Sequence, residues 1–490
     1  MAPTLGYWSG RALAEPSRLL LHYAGVDFED KRYNLGPNFD RSEWLNEKFS
    51  LGLEFPNLPY YIDGDIKITQ SKAILRYLAR KHGLAGNNET EHWKLDMLEQ
   101  ELHDLAQFVS AKAILFDGKT IEEYREEYGK TAPEKIKKFS EYLGDKKWLL
   151  GDRLTYVDFM AYDVLYYHKV LLPKILDPHP NLQSYVSRFE GLKGVKEYIA
   201  SPACHLPFWA VYKKFLTNEQ KLCRLATCED MLEMTRTVPE WKDKIITGDE
   251  TWVHGYDPET KRQSAEWRGQ AAHLHFTMAP TLGYWGVRAL AEPIRLLLHH
   301  VGVDFEDKRY KMGPNFDKSE WLKEKFSLGL EFPNLPYYID GDVKITQSKA
   351  ILRYLARKHG LAGKNETENW KLDMLEQQMT DLAQPVSPRA ILFGGKTLEE
   401  YREEYGKTAP ENVKKVSVYL GDKKWLLGDR LTYVDFMAYD VLYYHKVLLP
   451  KILDPHPNLQ SYVSRFEGLK GVKEYIASSA CQPPIWAVFK

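Results

Sequence analysis

Phe55-Pro-Asn-Leu-Pro-Tyr-Tyr-Ile-Asp-Gly-Asp-Ile-Lys-Ile-Thr-Gln-Ser71-Lys-Ala-Ile-Leu-Arg-Tyr-Leu-Ala-Arg-Lys81 is the stretch that decides the fold. Tyr60–Ile62 and Ile66–Thr69 read as two short strands flanking Asp63-Gly64-Asp65, a hairpin turn. Ser71 then opens a helix over Lys72–His82. Working back toward the start, Thr4–Tyr7 reads as a strand. Glu15–Ala24 reads as a helix, with Leu19, Leu20 and Tyr23 at helical spacing. Phe28–Tyr33 is a second strand, and Ser42–Lys48 is a short helix with Ser42 as its cap. The order β-α-β-α-β-β-α with a closing hairpin predicts a small α/β sandwich.

Beyond Gly83 the pattern is helical only. Glu91–Phe116 reads as one long periodic helix, and Ile121–Tyr128 begins another. Thr155-Tyr-Val-Asp158 has the form of a capping box, in which the Thr155 hydroxyl serves a free N–H and the Asp158 carboxylate reaches back. A carboxylate could be an acid or a base, but this spacing and the following Phe159, Met160 and Tyr162 give Asp158 a structural role.

The deciding stretch returns at residues 332–358 with one change, Ile66 to Val343. Residues 1–213 recur as 278–490 at a constant offset of 277 (284 − 7, from Tyr7 to Tyr284), with about 29 substitutions and no gap. Tyr142–Ser201 is identical to Tyr419–Ser478. Each copy is large enough to bury its own core, so this is a domain pair written twice and not a solenoid unit.

Composition narrows the function classes. Length alone suggests three or four domains. A net charge of −1 gives no electrostatic reason to expect a nucleic acid or an anionic membrane as partner. No apolar run approaches the roughly 20 residues needed to span a bilayer, and Met1-Ala-Pro-Thr-Leu-Gly-Tyr7 is not a signal peptide. Cys204 and Cys481 are repeat equivalents, while Cys223 and Cys228 lie between the copies. None has zinc-ligand spacing, so a reduced cytoplasmic protein without a metal is expected.

Three features of the first subdomain converge on an anionic small ligand. Tyr7 ends a strand just before a loop and helix. Asn57-Leu58-Pro59 precedes a strand, where a cis proline can present the Leu58 backbone as an edge. Gln70-Ser71 opens a helix whose free N–H groups favour a carboxylate. Singly, each has an ordinary reading as core, turn or cap. Together with Gly6-Tyr7-Trp8, Arg41-Ser-Glu-Trp44-Leu-Asn-Glu-Lys48-Phe, Ile68-Thr-Gln-Ser71, Leu154-Thr-Tyr-Val-Asp-Phe159 and Pro180-Asn-Leu-Gln, they resemble the cytosolic glutathione transferases of the mu class. The resemblance covers both copies whole.

It implies a thioredoxin-like α/β domain followed by an all-α domain, twice: 1–82 and 83–213, then 278–359 and 360–490. It also implies conjugation of the glutathione thiolate to hydrophobic electrophiles (detoxification), with glutathione as co-substrate and no cofactor. Tyr7 and Tyr284 would donate a hydrogen bond to the glutathione sulfur and favour the thiolate. Trp8, Arg41, Trp44, Lys48, Asn57, Leu58, Pro59, Gln70 and Ser71 would hold the tripeptide, Lys48 near its glycyl carboxylate and Gln70-Ser71 at its γ-glutamyl end. Their counterparts are Trp285, Lys318, Trp321, Lys325, Asn334, Leu335, Pro336, Gln347 and Ser348. Asp104 and Asp381 match an aspartate that reaches the site from the partner subunit. Phe55 and Phe332 match the aromatic that plugs a pocket on the partner. The resemblance thus implies dimeric pairing, either between the two copies of one chain or between chains. No cysteine stands at the tyrosine position, so a disulfide oxidoreductase is excluded.

Departures bear on the electrophile side. Lys318 keeps the charge of Arg41 without its bidentate fork. The loop Asn34–Asp40 is shorter than the vertebrate mu-class loop. Phe108 and Ala111 become Pro385 and Pro388. A proline inside a helix removes a hydrogen bond at a cost of roughly 3 kcal/mol. A kink or break near Pro385–Pro388 is therefore expected, with a different electrophile site in the second copy.

Residues 214–277 match neither copy. Lys244-Ile-Ile-Thr-Gly-Asp249 through Trp267 resembles the catalytic-core start of a mariner-type transposase, in which Asp249 would be the first of three metal-binding carboxylates. One carboxylate cannot assemble that site, which makes the segment an inert remnant. Two other functions compete with the transferase: a carrier of hydrophobic ligands without turnover, and a DNA-binding fusion resting on this segment alone.

Overall fold

In a computed structural model the described residues are 2–36, 40–110, 113–114, 119–211, 279–313, 317–392 and 395–488. The transposase-like segment 214–277 therefore lies outside them, as does Ala111.

The first copy runs β1 (Thr4–Trp8), α1 (Glu15–Tyr23), β2 (Glu29–Tyr33), α2 (Ser42–Glu47), β3 (Tyr60–Asp63), β4 (Ile66–Thr69) and α3 (Ser71–Lys81). Helices α4 (Glu89–Gln107), α5 (Ile121–Gly129), α6 (Ala132–Leu143), α7 (Tyr156–Leu171), α8 (Pro180–Glu190), α9 (Val195–Ile199) and α10 (Phe208–Val211) follow. The sheet order is β2-β1-β3-β4, with β1 parallel to β2 and antiparallel to β3. Strand β1 is central because Leu5, Gly6 and Tyr7 are all buried. Gly6 is required there: a Cβ would lie 2.2 Å from the Tyr60 ring, whose hydroxyl bonds that of Tyr33 at 2.9 Å. This is the expected α/β sandwich, with a helical domain built round the buried α7.

The second copy repeats it as β5 (Thr281–Trp285), α11 (Glu292–Val301), β6 (Glu306–Tyr310), α12 (Ser319–Glu324), β7 (Tyr337–Asp340), β8 (Val343–Thr346), α13 (Ser348–Lys358) and α14 (Glu366–Ala383). A 3-10 turn at Gln384–Val386 and α15 (Pro388–Leu392) come next. The chain ends through α16 (Leu398–Tyr405), α17 (Ala409–Leu420), α18 (Tyr433–Leu448), α19 (Pro457–Glu467), α20 (Val472–Ala477) and α21 (Ile485–Val488). Its sheet order is β6-β5-β7-β8.

Four expectations are corrected. Ser42 does not cap α2. Arg41 holds the cap position without a side-chain bond, and Ser42 instead donates its hydroxyl to Asp40 at 2.6 Å. Only half of the capping box at α7 forms. Asp158 accepts from the Thr155 N–H at 2.8 Å, but the Thr155 hydroxyl donates to that same carboxylate at 3.1 Å. Asp158 also accepts from the Leu149 N–H and the Tyr185 hydroxyl, which makes it a buried structural hub.

The predicted helix Glu91–Phe116 stops at Gln107. The Ser110 hydroxyl donates to the Gln107 carbonyl at 2.8 Å and accepts from the Ala113 N–H at 3.2 Å, closing one helix and starting a turn of another. Ser387 does the same in the second copy. The break near Pro385 and Pro388 is thus present, but its cause is not the prolines. Pro385 enters a 3-10 turn, and Pro388 is the first residue of α15, where a missing N–H costs nothing. The backbone course is shared: Tyr124 bonds the Phe108 carbonyl and Tyr401 the Pro385 carbonyl, both at 2.6 Å.

The copies pack together through α3 and α4 against α14 and α13. At the junction the buried Arg76 donates to Glu99 of its own copy at 2.6 Å and to Asp373 of the other at 2.9 Å. Arg353 reciprocates with Glu376 at 2.6 Å and Asp96 at 2.8 Å. Phe55 inserts across to stack on Tyr419 at 4.8 Å, and Phe332 meets Tyr142 at 4.7 Å.

Candidate active site

Tyr7 and Tyr284 sit one residue before the ends of β1 and β5, each 6% exposed. Burial pushes both phenols up to about 12, against a backbone hydrogen bond from Leu13 or Leu290 and the nearby Arg18 or Arg295, which pull down. Each arginine lies 5.9 Å from the ring centroid. Such a phenol stays protonated at neutral pH and remains a donor.

Gln70 and Gln347 have φ of 75° and 73° without being glycine, a conformation that clusters at functional sites. Ser71 and Ser348 are then the first residues of α3 and α13. The glutamine amides point to the other copy: Gln70 donates to Asp381 at 2.9 Å and Gln347 to Asp104 at 3.1 Å. The two aspartates that sequence assigned to the opposite site are therefore at the opposite glutamines.

The remaining predicted residues lie on or beside β1 and α2 and just before β3, and at the matching places in the second copy. The Leu58–Pro59 and Leu335–Pro336 bonds are cis. Asn57 accepts the Leu58 N–H through its own side chain at 3.0 Å, and Asn334 does the same for Leu335 at 2.9 Å. Trp8 and Trp285 close the central strands, half-buried. The Trp44 and Trp321 rings are buried and stacked on Tyr60 and Tyr337, so they carry core packing as well. Lys48 and Lys325 end α2 and α12. Burial and a lysine of the other copy push both ammoniums down, Lys325 to about 8. Arg41 is exposed beside Lys48.

A cavity of about 380 Å³ opens at Tyr284. Leu290, Ile294, Leu352, Met379, Val386 and Met437 supply apolar wall, while Ser348, Lys349 and Thr380 are among its polar lining. Pro388 is also among the lining residues. Thr380 directs its hydroxyl to the Glu376 carbonyl at 2.7 Å. Its counterpart is His103, which Lys72, burial and Lys349 together push down to about 2, hence neutral. Ile294 is likewise Ser17 in the first copy.

Two kinds of residue were not singled out in the sequence. Lys72, Arg76 and Arg80 recur every four positions on α3, the signature of one helix face, yet they read as an ordinary solvated stripe. Burial and nearby lysine push Lys72 down to about 8 even though it bonds Gln100. Glu101 is the second kind: its carboxylate accepts from Gln347 at 2.6 Å. No residue pattern distinguishes it from a surface glutamate. Among the described residues no group of three or more His, Cys, Asp or Glu could hold a metal ion.

Comparison with known proteins bears on both copies. The profile for the glutathione S-transferase N-terminal domain matches residues 3–80 and 280–357, and that for the C-terminal domain matches 103–202 and 381–479. A golden hamster (Mesocricetus auratus) glutathione S-transferase is 52% identical over 203 residues, which are 41% of this chain and 92% of the hamster protein. Mouse (Mus musculus) glutathione S-transferase Mu 2 is 50% identical over 213 residues, 43% of this chain and 96% of its own. Bovine (Bos taurus) glutathione S-transferase Mu 1 is 51% identical over 203 residues, 41% and 92% respectively. Each relative corresponds in length to a single copy.

Proposed function

The chain belongs to the glutathione S-transferase family, as a tandem of two mu-class units and an active transferase, and on that premise we propose that each copy carries its own tyrosine-based thiolate site. The observation that carries this reading is Tyr284: a buried, protonated phenol on the wall of a largely apolar 380 Å³ cavity, beside the helix-opening Ser348. A phenol O–H donated to sulfur stabilises thiolate over thiol, so the nucleophile forms at neutral pH. The thiol proton leaves to solvent. A sulfur lone pair then forms the C–S bond at the electrophilic carbon, and on a haloarene the C–halogen pair departs with the halide.

Glutathione is bound by Trp8, Arg41, Trp44, Lys48, Asn57, Leu58, Pro59, Gln70 and Ser71, with Asp381 reaching over from the second copy. The other site uses Trp285, Lys318, Trp321, Lys325, Asn334, Leu335, Pro336, Gln347 and Ser348, with Asp104 from the first. The arrangement of Gln70 with Asp381 and of Gln347 with Asp104 supports pairing of the copies within one chain. We divide the chain into glutathione-binding domains 1–82 and 278–359, helical domains 83–213 and 360–490, and an inert transposase-like remnant at 214–277. The physiological role is detoxification of hydrophobic electrophiles in the cytoplasm.

Replacing the tyrosines tests the reading. Tyr7→Phe and Tyr284→Phe should each leave part of the turnover of a haloarene, and the double variant should lose at least about tenfold in kcat/KM. A double variant as active as the parent chain would remove the tyrosines from the mechanism. Ligand binding without any turnover in the parent chain would instead favour a carrier.

A further inference from the structure

The two sites are completed differently by the opposite copy. At the first, Gln70 donates to Asp381. At the second, Gln347 donates from one amide nitrogen to two carboxylates, Glu101 at 2.6 Å and Asp104 at 3.1 Å. The cause lies in the sequence: Glu101 corresponds to Gln378, one of three adjacent substitutions on α4 and α14 (Glu101, Leu102 and His103 against Gln378, Met379 and Thr380). Among the described residues the two-carboxylate corner therefore exists once.

That corner suits a primary ammonium. The Gln347 amide offers two N–H groups, and each carboxylate takes one; an ammonium offers three donors and a full charge. The γ-glutamyl end of glutathione carries such an ammonium beside its α-carboxylate, and the free N–H groups at the start of α13 suit that carboxylate. We infer that Glu101 is a further glutathione-binding residue, which meets the γ-glutamyl ammonium in the second copy's site only and makes the two sites of one chain unequal in affinity. This rests on the placement of the γ-glutamyl end at Gln347 and Asp104.

The electrostatic surroundings set how the inequality varies with pH. Glu101 faces Asp104 on its own helix, Gln347 and Lys325 of the second copy, and Lys138 on α6. Burial and the Asp104 charge push its carboxyl up to about 7, against the Gln347 hydrogen bond and the two lysines. Only the ionised carboxylate attracts an ammonium. Affinity of the second site therefore rises as pH rises through neutrality, whereas Gln378 gives the first site no such step.

Calorimetric titration of the full chain with an S-alkyl glutathione tests this, because the ligand keeps the ammonium and has no titrating thiol. Near pH 7.5 two classes of site about tenfold apart in Kd are expected, converging toward roughly pH 6. Glu101→Gln should merge them into the weaker class, and Gln378→Glu should merge them into the tighter one. Both side chains already occur at this position in one copy or the other, so folding should be preserved. A single class in the parent chain at both pH values, or two classes surviving in Glu101→Gln, would overturn the inference. Asp104→Asn and Asp381→Asn separate it from the reading beneath it. If each weakens one site while Glu101→Gln changes nothing, only the role of Glu101 falls; if neither weakens binding, the γ-glutamyl placement falls as well.

Discussion

Tyr7 shows how little of a candidate catalytic residue is visible in its own letter. A tyrosine ending a strand is an ordinary core residue. It becomes a thiolate-stabilising candidate because burial keeps its proton on, and its counterpart Tyr284 does so on the wall of a cavity. Asp158 shows the opposite case, a conspicuous carboxylate with a purely structural role. Four donors converge on it: the Leu149 and Thr155 N–H groups and the hydroxyls of Thr155 and Tyr185. Asp158→Ala leaves three of these donors without a partner inside the fold, while the Tyr185 hydroxyl keeps the backbone carbonyl of residue 158 at 3.3 Å. It should cost at least about 3 kcal/mol, since each buried unsatisfied group costs about 1–3. Thermal unfolding measures this. A variant within about 1 kcal/mol of the parent would mean that the hub is not structural.

At the scale of elements, the alternation of strand and helix through Lys81 was legible because hydrophobic period, turn chemistry and helix starts agree there. The helix after Asn88 was legible at its start and not at its end. Its apolar periodicity runs on through Ile114, whereas the stop is set by a single hydroxyl at Ser110, which an apolar pattern does not register. The prolines were misjudged for the same reason, since they occupy a stop that both copies already have. Phe108 stacks on Tyr128 at 5.4 Å, and Pro385 gives up that contact without moving its carbonyl. Pro385→Phe with Pro388→Ala should therefore leave the far-ultraviolet helical signal unchanged and shift stability by less than about 1 kcal/mol. A rise in helicity with a gain near 3 kcal/mol per proline would mean that they do break a helix. The charged junction between copies was not legible, because Arg76 and Asp373 pair across 297 residues of sequence.

At the scale of the whole molecule, each candidate site is met by a helix of the other copy. Phe55 on Tyr419 and Phe332 on Tyr142 pin the copies, and that docking brings Asp381 and Asp104 to the glutamines. Phe55→Ala with Phe332→Ala removes both pins, each worth about 3–5 kcal/mol if fully buried. The variant should scatter as a more extended particle and lose glutathione affinity at both sites. A compact, fully binding variant would show that the copies do not rely on this contact. The central claim is that one chain forms two thiolates through two tyrosines, and the ultraviolet absorbance of bound thiolate counts them directly. Titrated with glutathione at neutral pH, the parent chain should yield two thiolates per chain, each Tyr→Phe variant one, and the double variant none. One thiolate in the parent chain, or two in the double variant, would contradict it.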